Sequence, residues 1–241
     1  MTGVVWHDIE CGSYRADLPL WLGLAAERGG PVLDVGAGTG RVTLPLARAG
    51  HEVVALDRDA ALLAELRRRA DGLPVTTVTA DARSFALDRG SARFALVLVP
   101  MQTIQLLGGP DGRGAFLSCA HRHLAPGGVV AVAIAVRFDE FELSDGETGP
   151  LPDMEERDGV VYSSVPTAVR REGAVVVLER RREKVDPRGS RDVTADRIAL
   201  DVVSVRELAS EGAEAGLRSL GVRTIAPTAE HVGSQVVILG A

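Results

Sequence analysis

Apolar residues follow two rhythms along this chain. Short continuous runs at 31–36, 52–57, 75–80, 94–99 and 128–136 are nearly all apolar or β-branched. A run without polar alternation predicts a strand buried on both faces, as in a parallel sheet covered by helices. Between these runs, segments at 14–28, 40–49, 59–71 and 111–124 carry apolar residues at helical spacing. Gly50, Gly72 and the pair Gly127–Gly128 stand where helices should stop. Pro45 falls inside the second of these helices, where it should free the Arg41 carbonyl and bend the axis slightly. Strand and helix patterns in alternation predict βαβ units and a doubly wound α/β sheet.

After residue 136 the pattern changes. Residues 137–159 read as an acidic loop, with Asp139, Glu140, Glu142, Asp145, Glu147, Asp153, Glu155, Glu156 and Asp158 against Arg137 and Arg157. Three antiparallel strands are predicted near 160–170, 174–185 and 192–203, with turns at Glu172-Gly173 and Asp186 to Gly189. A helix at 205–216 and strands at 221–226 and 232–239 complete the chain. The acidic stretch either favours a cationic partner or is a solvated run paired with Arg170, Arg171, Arg180, Arg181 and Arg182; charge runs usually face solvent.

Composition narrows the classes. With 241 residues and 46% hydrophobic content, the chain suits one α/β domain carrying a small insertion. A net charge of −6 argues against a nucleic-acid partner, which would favour a basic face. Cys11 and Cys119 make no disulfide framework and suit a reducing compartment. No basic segment followed by an apolar core opens the chain, and no apolar run approaches the roughly 20 residues of a membrane span. A cytoplasmic protein is the expectation, with neither a membrane nor a nucleic acid as partner.

The most informative stretch is Val32-Leu33-Asp34-Val35-Gly36-Ala37-Gly38-Thr39-Gly40, a short apolar strand running into a loop with glycine at every second position. A helical segment follows. Strand, glycine loop and helix let backbone amides approach a nucleotide-like ligand. A dinucleotide fingerprint wants G-x-G-x-x-G, and its third glycine would fall on Arg41. The pattern is instead D-x-G-x-G-x-G, and in this the chain resembles the class I S-adenosylmethionine (SAM)-dependent methyltransferases. The resemblance implies a Rossmann-like, seven-stranded sheet in the order 3-2-1-4-5-7-6 with the last strand antiparallel. It also implies a core made of 1–136 and 204–241, and an antiparallel lid at 137–203, like that of the glycine and sugar N-methyltransferases, over the acceptor pocket.

The same resemblance implies a set of cofactor residues. Gly36, Ala37, Gly38 and Gly40 would form the loop near the methionine part of SAM, and the Asp34 carboxylate suits its cationic amino-acid end. Asp57, closing the second strand, would take both ribose hydroxyls, since one carboxylate offers two acceptor oxygens to two vicinal donors; the alternative is a cap for the helix at 59. Arg58 would flank the adenine. Asp81 would accept from the adenine amino group and the Ala82 amide would donate to a ring nitrogen, unless Asp81 merely caps a turn. Pro100, Met101 and Gln102 align with the loop beneath the sulfonium. Tyr14 either closes over the amino-acid end or belongs to the core. Arg41 either pairs with the SAM carboxylate or lies on a helix surface.

Other constellations carry less. Cys119 and His123 are four apart with His121 between, a spacing that could hold a metal, but no second pair accompanies them. His51 reads as a turn residue. No catalytic dyad is legible; His7 and His231 are the isolated histidines able to act as a base. The loop Val99-Pro100-Met101-Gln102 lacks the aromatic clamp of base-modifying amino methyltransferases, and Met101 through Gly109 contains no carboxylate of the kind that metal-dependent catechol-type enzymes place there. The expected activity is metal-independent methyl transfer from SAM to an N or O atom of a small-molecule acceptor. A macromolecule (protein or tRNA) methyltransferase and a SAM- or nucleotide-binding protein without turnover are the alternatives.

Overall fold

The computed structural model describes residues 2–87, 93–144, 149–229 and 231–241. Asp145 and Glu147 of the acidic stretch lie outside the described residues. In chain order the elements are α1 (Thr2–Cys11), α2 (Leu18–Arg28), β1 (Val32–Val35), α3 (Thr43–Arg48), β2 (Val53–Asp57), α4 (Ala60–Arg69), β3 (Val75–Thr79), β4 (Phe94–Val99), a 3-10 turn (Thr103–Leu106), α5 (Gly109–His123) and β5 (Leu124–Ile134). Then follow β6 (Phe141–Glu142), β7 (Asp153–Arg157), β8 (Val160–Glu172), β9 (Val175–Val185), β10 (Arg191–Asp201), α6 (Val205–Glu214), β11 (Arg218–Ile225) and β12 (Ser234–Gly240). None of the described helices is long and apolar enough to cross a membrane.

The chain divides into two compact units. The larger comprises Tyr14–Val136 and Val203–Ala241. Its seven strands run β3-β2-β1-β4-β5-β12-β11, with β1 to β5 parallel and β12 antiparallel to β5. This is the order expected, with β11 and β12 in the sixth and seventh places. Alternate side chains leave each strand on opposite faces. Leu33, Val35, Val97 and Val99 pack with Phe116 and Leu117 of α5 and Leu208 of α6. Val32, Leu96 and Leu98 pack with Trp21 and Leu24 of α2 and Leu46 of α3. Covering both faces buries all of β1, which is why its sequence shows no polar alternation; each fully buried Leu or Val contributes about 1.5–3 kcal/mol.

The smaller unit comprises Met1–Ser13 and Arg137–Val202. Its antiparallel sheet runs β10-β9-β8-β6, and β7 also pairs with β8. The first thirteen residues thus join this sheet and not the parallel core expected for them. Trp6 meets Tyr162 edge-on at 5.3 Å, and the Arg182 guanidinium lies 5.6 Å from the Trp6 ring centre. Glu10 accepts from Arg182 twice at 2.7 Å and from the Ser164 hydroxyl at 2.7 Å. These bonds hold the Glu10 carboxyl below its ordinary proton affinity despite the burial that opposes them. Helix α1 escaped the periodicity because, among its described side chains, only Val5, Trp6 and Ile9 are buried, between His7, Asp8 and Glu10. Strand β7, Asp-Met-Glu-Glu-Arg, escaped because it has no apolar alternation.

Two boundaries moved furthest from where the pattern put them. The helix expected at 14–28 begins only at Leu18, leaving Tyr14 to Asp17 as a connecting turn. The strand expected from 128 begins at Leu124 and passes through Gly127 at φ +73°.

Candidate functional site

In a doubly wound sheet, ligands bind outside the carboxyl ends of the strands. Nearly all the residues singled out from the sequence sit at that edge of the larger unit: Gly36 to Arg41 after β1, Asp57 and Arg58 at the end of β2, Asp81 and Ala82 after β3, Pro100 to Gln102 after β4. Because β12 runs antiparallel and pairs Gln235 with Ile134, the loop before it brings His231 to the same edge. His7 lies on α1 in the other unit.

The glycine loop is shaped by its own chain. Gly36 and Ala37 donate to the Leu56 carbonyl at 2.8 and 3.1 Å, and Gly38 donates to Asp57 Oδ2 at 2.9 Å. Gly36, Gly38 and Gly40 have φ of +73°, +54° and +96°, the region that favours glycine. At two of them a side chain would also strike protein: a Cβ on Gly36 would stand 2.6 Å from Thr103 Cγ2, and one on Gly40 would run into Leu66 Cδ1.

Asp34 is the anomaly of the site. It is 1% exposed; Oδ2 accepts from the Thr43 hydroxyl at 2.6 Å, and Oδ1 is the one buried side-chain atom without a partner among the described residues. Burial pushes its proton affinity up to a pKa of about 6, against the Thr43 hydrogen bond and the Arg41 charge, with Asp57 and Asp17 adding to the rise. An unpaired buried carboxylate oxygen is costly unless something cationic answers it.

Asp57 has two duties. Oδ2 takes the Gly38 N–H and Oδ1 the Asp59 N–H at 2.9 Å, while Asp59 itself caps α4 through Ala61 and Leu62. Each oxygen keeps one acceptor position, enough for a diol. Asp81 is clasped by Arg83, whose Nε and Nη2 reach Oδ1 and Oδ2 at 3.0 and 2.6 Å and whose N–H reaches Oδ1 at 2.8 Å; this side-chain pairing holds the carboxyl down at about 2. Arg58 is exposed beside it. Met101 adopts φ +54°, a left-handed backbone rare for its type and characteristic of strained functional loops. The loop is fixed by Thr103, which donates to the Pro100 carbonyl at 3.0 Å, and by buried Gln105, whose amide clamps the N–H and carbonyl of Ala135 at 2.8 and 3.2 Å.

Arg41 occupies neither of the environments expected for it alone. Its side chain is 6% exposed and forks onto Asp17 at 2.6 and 2.7 Å, also donating to the Tyr14 carbonyl at 3.0 Å. Asp17, itself 1% exposed, takes the Trp21 indole N–H at 2.8 Å as well. Tyr14 is buried between the Arg41 guanidinium, 5.2 Å from its ring centre, and the His231 ring at 4.7 Å. Burial and the Asp17 charge raise its phenol's proton affinity. The sequence reading missed Asp17, Thr43, Thr103 and Gln105. Only Thr43 carried a signal, nine residues after Asp34 on the helix that follows the loop.

Cys119 and His123 serve packing. His123 Nε2 accepts from the Leu87 N–H at 3.1 Å with Nδ1 on the Cys119 carbonyl at 2.8 Å, and the ring tilts against Phe85 at 4.6 Å.

Residues 32–128 match the methyltransferase domain family, and they contain the glycine loop, Asp57, Asp81 and the strained Met101. Over these residues the chain carries a methyltransferase domain. A curated relative, the cypemycin N-terminal methyltransferase of a Streptomyces species, is 35% identical over 119 residues, which are 49% of this chain and 47% of that protein. The match thus spans about half the length of that relative. Two solved structures share the fold of the methyltransferase domain and its insertion. CalS10 of Micromonospora echinaspora, an amino pentose methyltransferase, aligns with a TM-score of 0.71 at 23% identity over 99% of this chain and 96% of its own. KedS8 of a Streptoalloteichus species, a sugar N-methyltransferase, aligns with a TM-score of 0.74 at 19% identity over 98% and 92%.

Proposed function

We propose that this protein binds SAM at the carboxyl edge of its parallel sheet and transfers the methyl group to a nitrogen of a small-molecule amine. The observation that carries the reading is Asp34, a buried carboxylate with an oxygen left over beside a glycine loop. That oxygen suits the ammonium of SAM, the open acceptor positions on Asp57 suit its ribose, and Asp81 with Ala82 suits its adenine edge. The names of CalS10 and KedS8 support a sugar amine as acceptor. The name of the curated relative supports a second reading, the amino terminus of a peptide.

SAM supplies a methyl group on a good leaving sulfur. The protein's part is then to bind, orient and keep the reacting atoms dry, and orientation alone supplies roughly 7–11 kcal/mol. A neutral amine brings its own lone pair. A hydroxyl acceptor would need a base, and the candidate for it is His231, whose ring lies against Tyr14. The reading includes no metal, since the loop after β4 offers no carboxylate from Met101 to Gly109.

Calorimetric titration should give binding of SAM and of S-adenosylhomocysteine, with NADH silent; the reverse would end this reading. Turnover on an amino sugar or a peptide amine should survive chelator, and activity lost in chelator and restored by Mg²⁺ would overturn the metal-free mechanism. Asp57→Ala should weaken S-adenosylhomocysteine by about 1.5–3 kcal/mol, the range for charge-assisted hydrogen bonds. Because Asp57 also holds the Gly38 N–H, homocysteine-end analogues without ribose should lose some affinity too, though less.

We further propose that the antiparallel unit sets acceptor specificity without using its acidic stretch as a cation reader. Glu140 takes the Arg171 N–H, Glu142 pairs with Arg170 at 3.1 Å and Asp153 with Arg180 at 3.3 Å, so these carboxylates are answered within their own sheet. Glu140→Gln and Glu142→Gln together should leave the KM for an amine acceptor unchanged; a several-fold rise would restore the cation-reading role.

A further inference from the structure

Arg83 is no ligand contact in the proposed SAM site, yet its main chain and two of its three guanidinium nitrogens are committed at the site's edge. Its N–H, Nε and Nη2 all go to Asp81. Its carbonyl accepts from the Cys119 thiol at 3.3 Å. Its stem lies over the start of α5, with Cδ 3.5 Å from where a Cβ on Gly112 would stand; such a Cβ would itself strike the Leu107 carbonyl. The side chain is nevertheless 48% exposed and Asp81 38% exposed. An ion pair this exposed adds little to fold stability, so its geometry asks for another reason.

Counting lone pairs supplies one. A carboxylate has about four acceptor positions. Three Arg83 hydrogens take three of them: the main-chain N–H on Oδ1, Nη2 on Oδ2, and the Nε–H shared between Oδ1 at 3.0 Å and, more weakly, Oδ2 at 3.2 Å. A single acceptor position remains, on Oδ2, in a carboxylate that cannot rotate without breaking the fork. The adjacent Ala82 N–H has no hydrogen-bond partner among the described residues. One fixed acceptor beside one free donor is the complement of an adenine edge, which offers an amino donor next to a ring-nitrogen acceptor. It is the wrong complement for hypoxanthine, which offers a carbonyl next to an N–H.

We propose that Arg83 is a positioning residue that fixes Asp81 as a single directed acceptor and thereby sets the selectivity of this site for a 6-aminopurine over a 6-oxopurine. The proposal rests on the reading of the site as one for SAM. The Asp81 carboxyl, held at about 2 by the same clasp, also stays ionised throughout the working pH range.

The test is a set of dissociation constants for S-adenosylhomocysteine and S-inosylhomocysteine with the full chain, its Arg83→Gln and Arg83→Lys variants, and thermal melts of all three. Wild type should prefer the adenosyl compound by tenfold or more, as expected when a polar edge is mismatched against buried or directed partners. Arg83→Gln should melt with wild type and lose most of that preference, chiefly by weakening the adenosyl compound; Arg83→Lys, which keeps the charge without the fork, should recover only part. An unchanged preference in Arg83→Gln, an equal weakening of both compounds, or tighter binding of the adenosyl compound would overturn the proposal while leaving the SAM site standing. Wild type that binds neither compound would remove the SAM reading and this proposal with it.

Discussion

Asp34→Asn is expected to weaken S-adenosylhomocysteine about 10- to 100-fold while leaving the protein as stable as wild type, or more stable, above pH 6. The two effects have opposite signs because one feature causes both. The Asp34 carboxylate is fully buried, with Oδ1 unanswered, and its pKa is raised from 3.8 to about 6. A carboxyl whose proton affinity rises on folding makes the native state bind more protons than the unfolded chain between those two values. Stability therefore falls as pH rises through that window, and the full cost, about 3 kcal/mol, stands above it. The amide removes that cost, offset in part by an unpaired N–H, and keeps the bond from Thr43. A cationic ligand reverses the preference, since it favours the ionised form; wild-type affinity for S-adenosylhomocysteine should fall as pH drops from 7 to 5, and the variant's should not. Melts and titrations at pH 5 and pH 8 measure both halves. Equal affinity in the two proteins would take Asp34 out of the site, and a lower melting temperature for the variant at pH 8 would mean that the charge is already answered in the free protein.

Gly40→Ala and Gly38→Asn should separate the fold from the ligand within one loop. At Gly40 a Cβ meets Leu66 Cδ1 and comes within 3.0 Å of Leu44 Cγ, at a φ of +96° that no L-residue favours. Strain of about 1–3 kcal/mol and overpacking of similar size should lower the melting temperature by about 10 °C. Gly38 sits at φ +54°, which asparagine tolerates far better than a branched residue. That variant should melt near wild type and lose S-adenosylhomocysteine binding, because its side chain enters the space that the ligand needs. A Gly38→Asn protein that binds normally would move the ligand off the loop, and a Gly40→Ala protein of unchanged stability would show that Leu66 and Leu44 give way at little cost.

Local pattern marked the strands of the larger sheet, while their order was implied only by the family resemblance. Runs without polar alternation predict strands covered on both faces, and those at 31–36, 52–57, 94–99 and 128–136 became β1, β2, β4 and β5, whereas the run at 75–80 became β3, a half-exposed strand at the sheet's edge. Glycine spacing after β1 marked the loop because positive φ is a backbone demand that composition reveals. Partners that come from far along the chain are fixed by packing alone. Arg41 and Asp17 are 24 residues apart, Glu10 and Arg182 are 172 apart, and no local pattern ties either pair together. Helix α1 was invisible for the same reason: its membership of the antiparallel unit rests on Tyr162, Ser164 and Arg182 and not on its own periodicity. The same holds for Gly40, where the sequence suggests room for a ligand and the packing reserves the space for Leu66. Local pattern encodes which faces are buried and where the backbone turns; which buried polar group is answered, and which is left with an open oxygen as Asp34 is, depends on distances that exist only after folding.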